Sequence, residues 1–229
     1  MKLPKPDESN YVAPPAGLQP AVCTGIIDLG TQKVTFQGQE KQQRKIRILF
    51  ELLDEKQADG RPFTISKKYT LSMSDRANLK ADLEGWRGRP FTPDDFDKFD
   101  MRNLITVACT LNIVKRAGAE PGREITFVEN VMTRMKGRNL KETPVSETTY
   151  FSLDEFDATA FGKLHEKTQE MIKTTPEYLH VTGKAKAAGG DPRDADDDDG
   201  FGHQNTAASN NSTGSHSTRA KDIDDEIPF

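Results

Sequence analysis

Alternation of apolar and polar side chains is the strongest signal along this 229-residue chain. From Arg44 to Asp54, Ile46, Ile48, Phe50 and Leu52 share one face, while Lys45, Arg47 and Glu51 share the other. That is the period-two pattern of a half-buried strand. Ala21 to Leu29, with Val22, Ile26 and Ile27, predicts an earlier strand. Between the two, Gly30 to Gln43 is polar and glutamine-rich and reads as an extended excursion or loop. Asp59-Gly60 turns the chain into a third strand, Phe63 to Leu71, with Ile65 and Tyr69 opposite Thr64, Ser66 and Lys68. Ile105, Val107, Cys109, Leu111 and Ile113 alternate in a fourth, Leu104 to Lys115. After a loop from Ala117 to Arg123, Glu124 to Met135 is a fifth.

Between the third and fourth strands the period lengthens. Ser74 is placed to cap a helix running to about Glu84. Leu79, Leu83 and Trp86 give it a narrow apolar stripe, and Gly85 and Gly88 end it. Thr92-Pro93-Asp94-Asp95 is a second helix start, with proline at the first position and acids in the first turn. Residues 137–182 form an extension. Ser152-Leu153-Asp154-Glu155 has the form of a capping box, and Phe161, Leu164, Thr168 and Met171 follow helical spacing until Pro176. This predicts a helix packed back on the strands or, alternatively, an oligomerisation or partner element.

Composition separates the ends from the middle. Four prolines, Pro4, Pro6, Pro14 and Pro15, make residues 1–19 an extended lead-in. From Lys184 to Lys221 the only large apolar side chain is Phe201, so residues 183–221 cannot offset their ordering entropy and read as a flexible linker. Such a coil reaches about 30–40 Å. Residues 184–229 hold 5 basic and 10 acidic side chains, which leaves 27 basic against 26 acidic in the rest. A nearly neutral body excludes a uniformly basic nucleic-acid binder, so any such site is a local patch. Cys23 and Cys109 lie in apolar runs without ligand spacing and read as buried free thiols. Met1 to Gly17 has no signal-peptide core and no run approaches transmembrane length. The reading is a soluble protein of a reducing cytosol, with no cofactor and no metal.

The last eight residues, Asp222-Ile223-Asp224-Asp225-Glu226-Ile227-Pro228-Phe229, place four acids around and before Ile-Pro-Phe. They resemble the acidic C-terminal tip of bacterial single-stranded DNA-binding proteins. A terminal phenylalanine offers a ring and a carboxylate to a small apolar pocket rimmed by cations, and the acids favour fast, salt-sensitive encounter. The β-β-β-α-β-β order over residues 20–136 is that of an OB-fold, a five-stranded Greek-key barrel. The Gly30–Gln43 excursion and Leu83-Glu84-Gly85-Trp86-Arg87-Gly88-Arg89 look like those of phage OB-fold proteins. The expected architecture is therefore a mainly β, five-stranded OB-fold barrel with a helical C-terminal extension and a disordered acidic tail. The resemblance implies a phage-encoded protein of the bacterial cytosol. Such a protein coats single-stranded DNA without sequence preference in replication, recombination and repair, and recruits partner proteins through residues 222–229.

Sequence-tolerant binding of single strands needs cations along the phosphates and aromatic faces for the bases. On an OB-fold the candidates are Lys33, Phe36, Lys41 and Arg44 in the first loop and Lys45 and Arg47 on the second strand. Lys67 and Lys68 on the third strand, and Lys115, Arg116 and Arg123 at the last loop, extend the set. Phe36 is the leading stacking candidate. Trp86, flanked by Arg87 and Arg89, either stacks on a base or completes the helix stripe; Tyr69 is ambiguous. The competing class is an enzyme: Asp94, Asp95, Asp97 and Asp100 cluster as nuclease carboxylates do, but beside a helix start and without a recognisable partner motif. His165 and His180 lack ligand-spaced partners. The other alternative is an adaptor that recruits replication or repair enzymes without binding DNA itself.

Overall fold

The computed structural model describes residues 12–36, 38–118 and 124–183. Most of the lead-in, Arg123, the linker and the tip at 222–229 lie outside the described residues, and of Phe36 only the backbone is described. The strands are β1 (Gly17–Phe36), β2 (Gln39–Lys56), β3 (Pro62–Thr70), β4 (Ala108–Ala117), β5 (Glu124–Met132) and β6 (Thr149–Phe151). They form a six-stranded sheet in the order β3-β2-β1-β4-β5, with neighbours antiparallel and β6 added parallel to β1. The sheet is not closed: β3 and β5 end the path and share no ladder. The fold is thus mainly β, with one strand more than expected.

The excursion predicted at Gly30–Gln43 is instead the outer half of a long hairpin. Pairs run from Gly30↔Lys45 to Phe36↔Gln39, and Gly38 takes the left-handed conformation (φ 76°) beside the turn. Its sequence hides this because the ribbon is largely solvated. The ladder satisfies the backbone whether or not either face is apolar. The fourth strand also starts later than alternation suggests. Met101–Leu104 is a 3-10 turn, and Thr106, at φ 70°, reverses the chain before Ala108. The fifth ends at Met132 rather than Met135.

The helix α1 (Asn78–Arg87) begins at Ala77 without a side-chain cap, so Ser74 does not cap it. Gly85 lies inside the helix, where a Cβ would sit 2.8 Å from the Val131 carbonyl. Gly88 alone ends it, in the left-handed conformation. The short α2 (Pro93–Lys98) starts where Thr92-Pro93-Asp94-Asp95 predicts, with proline at the first position, and the structure adds a capping box between Thr92 and Asp95. The main core lies between α1 and the inner sheet face: Ile26, Ile46, Ile48, Phe50, Leu79, Leu83, Trp86, Leu111, Ile113 and Val131. Cys23 and Cys109 are buried free thiols there; burial pushes the Cys23 thiol up to about 12 and that of Cys109 well above its ordinary value.

The extension is not one helix. It comprises β6, α3 (Ala158–Lys163), α4 (Glu166–Lys173) and α5 (Pro176–Val181). Their caps are Asp157, His165 and Thr175 rather than Ser152. Pro176 opens the last helix, where its missing N–H costs nothing. The extension does pack back on the sheet. Phe151, Leu153, Phe161, Leu164, Ile172 and Tyr178 cover Ile27 and Leu29 of β1 in a second core. Polar clamps hold it. Buried Glu51 accepts the Val145 and Ser146 N–H groups at 2.7 Å each. Buried Asp28 accepts the Gly30 N–H at 2.9 Å and the Leu153 N–H at 3.2 Å, and it pairs with Arg44, which also reaches Asp154 at 2.8 Å.

Asp28→Ala strands these buried donors and is expected to cost about 3–5 kcal/mol. Urea unfolding gives the loss, and hydrogen exchange is expected to show residues 149–181 losing protection first. Uniform loss over both cores would contradict the clamp.

Candidate functional site

Alternation puts consecutive side chains of β2 and β3 on opposite faces, and the register then decides which cations meet. Lys45 stands opposite Thr70, Arg47 opposite Lys68, Leu49 opposite Ser66 and Glu51 opposite Thr64. All point away from the core that holds Ile46, Ile48 and Phe50. Arg47 and Lys68 are therefore like charges directly across a ladder, an arrangement that destabilises a sheet. Neither has a carboxylate partner among the described residues. The half-buried Arg47 guanidinium reaches only Thr168 of α4, at 3.2 Å, and its Nε is buried without a hydrogen bond. Burial pushes Arg47 below its ordinary value. Lys68 is lowered too, chiefly by desolvation and then by the Arg47 charge. The Lys45 ammonium donates to Gln43 Oε1 at 2.7 Å and Thr70 Oγ1 at 2.6 Å, both neutral.

Two openings flank this row. One, about 410 Å³, lies near the β3–β5 seam and is lined by Leu49, Thr64, Ser66 and Thr126 together with Ser146 and Glu147 of the extension. The other, about 370 Å³, lies at the α1 end and includes Lys45, Lys68, Thr70, Ser74 and Arg76. Arg76 was not singled out from the sequence. It follows a serine–aspartate turn and gains its meaning only from the folding of that turn against β3.

Several of the candidate residues are committed elsewhere. Trp86 is 1% exposed, tilted against Phe50, and its Nε1 donates to the Ala108 carbonyl at 2.8 Å, so it is a core residue and not a base platform. Tyr69 is likewise buried, its hydroxyl donating to Asp82 at 2.7 Å. Lys67 projects to the opposite face from Lys68, where it donates to Asp82 and to the Glu129 carbonyl, both at 2.6 Å. With the Val131 N–H on Asp82, it bridges β3, α1 and β5 across the unpaired seam. Arg87 is buried and paired with Asp95 at 2.6 Å, its guanidinium 5.0 Å from the Phe91 ring. Arg87 and the α2 cap hold the Asp95 carboxyl well below the carboxylate range. Arg44 is raised by Asp28 and Asp154.

The remaining cations are exposed. Arg89 lies 3.8 Å from Asp95, Lys115 3.5 Å from Glu124, and Arg116 3.1 Å from Glu129 and over the Phe127 ring. Lys33 and Lys41 are exposed on the hairpin. The structure thus brings together Lys45, Arg47 and Lys68 and does not gather the others with them. Asp95 and Asp100 serve helix starts. Among the described residues no group of three or more His, Cys, Asp or Glu side chains could hold a metal, and no helix is long and apolar enough to cross a membrane. Neither a protein-family model nor a curated protein matches the sequence.

Lys68→Gln removes the like-charge opposition and is expected to stabilise the fold by about 0.2–1 kcal/mol at neutral pH. A lysine lowered on folding carries a penalty while charged. That penalty is full below its folded pKa and disappears as pH rises through it toward the unfolded value. Denaturant midpoints of the two proteins are therefore expected to converge at alkaline pH; a constant gap would contradict this account.

Proposed function

We propose that this protein binds single-stranded DNA without sequence preference through the outer face of β2 and β3, on a partly open OB-like barrel. The observation that carries the reading is the Arg47–Lys68 pair: two adjacent cations, each partly desolvated, with no carboxylate between them. A phosphodiester beside them supplies the missing charge. The strand order, with β3 and β5 facing across a seam bridged from α1, is what a Greek-key barrel opened between those strands requires. Lys45 continues the row along the same face of β2. Bases face Leu49 and the hydroxyls around it. Phe36 at the hairpin tip remains the stacking residue of choice.

The second half of the proposal is the acidic segment Asp222–Phe229, which recruits replication, recombination or repair proteins and competes with DNA for the same cations. The adaptor reading differs in one respect, since it leaves the Arg47–Lys68 row without a ligand.

Labelled oligo-dT titrated at several salt concentrations tests the site. Wild type is expected to bind single strands, resist duplex competitor, and lose affinity with salt at about 0.7 log units per phosphate contact. Replacing Arg47 and Lys68 together with alanine is expected to lower that slope by about 1.4. An unchanged slope, or no binding by wild type at low salt, favours the adaptor. Deleting Asp222–Phe229 is expected to tighten DNA binding at low salt and to abolish partner capture; equal affinity would remove the competition between tip and DNA.

A further inference from the structure

The β2–β3 row ends in a cleft. Its volume is about 370 Å³, and the segment from Ser72 to Asn78 closes it on the side where α1 begins. Lys45, Lys68 and Arg76 line it together with Thr70 and Ser74, and no aspartate or glutamate does. Asp75, the nearest acid in sequence, is engaged by Lys80 at 2.6 Å. Gln43 Oε1 and Thr70 Oγ1 hold the Lys45 ammonium in place as neutral acceptors and leave its charge uncompensated. The Ser72 and Ser74 hydroxyls lie 3.2 Å apart, and the exposed Ser74 lines the cleft with a hydroxyl able to donate. Three cations and a hydroxyl donor thus converge on a pocket closed at one end.

We propose that this cleft binds a phosphomonoester, the terminal phosphate of a single strand lying along β2 and β3. A bridging phosphodiester carries one charge, whereas a monoester carries about −1.5 to −2 at neutral pH and three free oxygens. The cleft matches the second in charge and in number of donors. A strand passing through would meet the Ser72–Asn78 segment; a strand that ends here does not. The planar guanidinium of Arg76 can take two of the oxygens in one fork. The inference rests on the strand-binding reading above for the source of the phosphate, but not for the chemistry of the cleft.

The test uses the full chain and three short oligo-dT probes, with a 5′-phosphate, a 3′-phosphate, or hydroxyls at both ends. One phosphorylated end is expected to bind about tenfold tighter, the factor of one charge-assisted contact. Arg76→Ala, an exposed position, is expected to erase the difference and leave hydroxyl-ended binding unchanged. Equal affinity for all three probes overturns the subsite and leaves strand binding standing. If no probe binds, inorganic phosphate is titrated while the amide signals of Thr70, Ser74 and Arg76 are followed. Shifts at these positions, absent in Arg76→Ala, keep the phosphate cleft and overturn the strand as its source. No shift overturns both.

Discussion

Between Ala21 and Gly30, β1 has no solvent face. Ile26 belongs to one core, Ile27 and Leu29 to the other, and bulges at Cys23/Gly25 and Asp28/Gly30 let the strand serve both. A carboxylate in such a strand is costly unless everything around it donates. Asp28 meets that condition, since the Gly30 N–H fixes the bulge, Arg44 ties it to β2, and the Leu153 N–H ties it to the extension. Three separately encoded pieces of chain depend on one buried side chain. Gly30 itself is required there, because a Cβ would sit 2.7 Å from Thr175 Oγ1 and its φ is 67°.

This arrangement decides where a ligand can lie. The second core takes the outer face of β1, so α4 stops beside Arg47 and leaves β2 and β3 uncovered beyond it. Lys67 and Lys68 show how period two sends neighbouring cations to different surroundings. The first turns inward to Asp82 and helps hold the unpaired seam; the second turns outward beside Arg47. The sheet carries a like-charge opposition on one face while an ion pair compensates the adjacent residue on the other. An unfavourable pair of this kind is stable only because hydrogen bonding and core packing around it supply far more than the repulsion removes.

Strands with one apolar face were legible from alternation, as Ile46–Leu52 and Cys109–Ile113 show, and so was the α2 start, because Thr92 and Asp95 are local signals. The hairpin from Gly30 to Gln43 was not, since a ribbon solvated on both faces leaves no apolar pattern. The extension misled for the opposite reason. Phe161, Leu164 and Thr168 are all buried at helical spacing, yet they lie on two short helices broken at Leu164–His165. Periodicity counts faces and does not see breaks. Within the site, the parity of Lys45, Arg47 and Lys68 was readable, but the ion pairs were not. Asp28 is 16 residues from Arg44 and Asp82 is 15 from Lys67, so nothing local announced that these cations were already committed.

The same ion pairs also serve as a filter on the charge of the whole body. With 27 basic and 26 acidic residues up to position 183, long-range attraction to a polyanion is nearly absent. A local site must then rest on charges that the protein has not neutralised. Arg44, Lys67 and Arg87 each meet a carboxylate at close range with little exposure, and an anionic ligand gains little from a cation already paired. Lys45, Arg47 and Lys68 meet neutral acceptors or each other. Protein surfaces ordinarily relieve such repulsion with an intervening acid, and here Gln43, Ser66 and Thr70 stand where one would serve. Leaving the three without a carboxylate lowers the stability of the free protein by a small amount, and under the proposed function an anion that relieves the repulsion recovers that same amount.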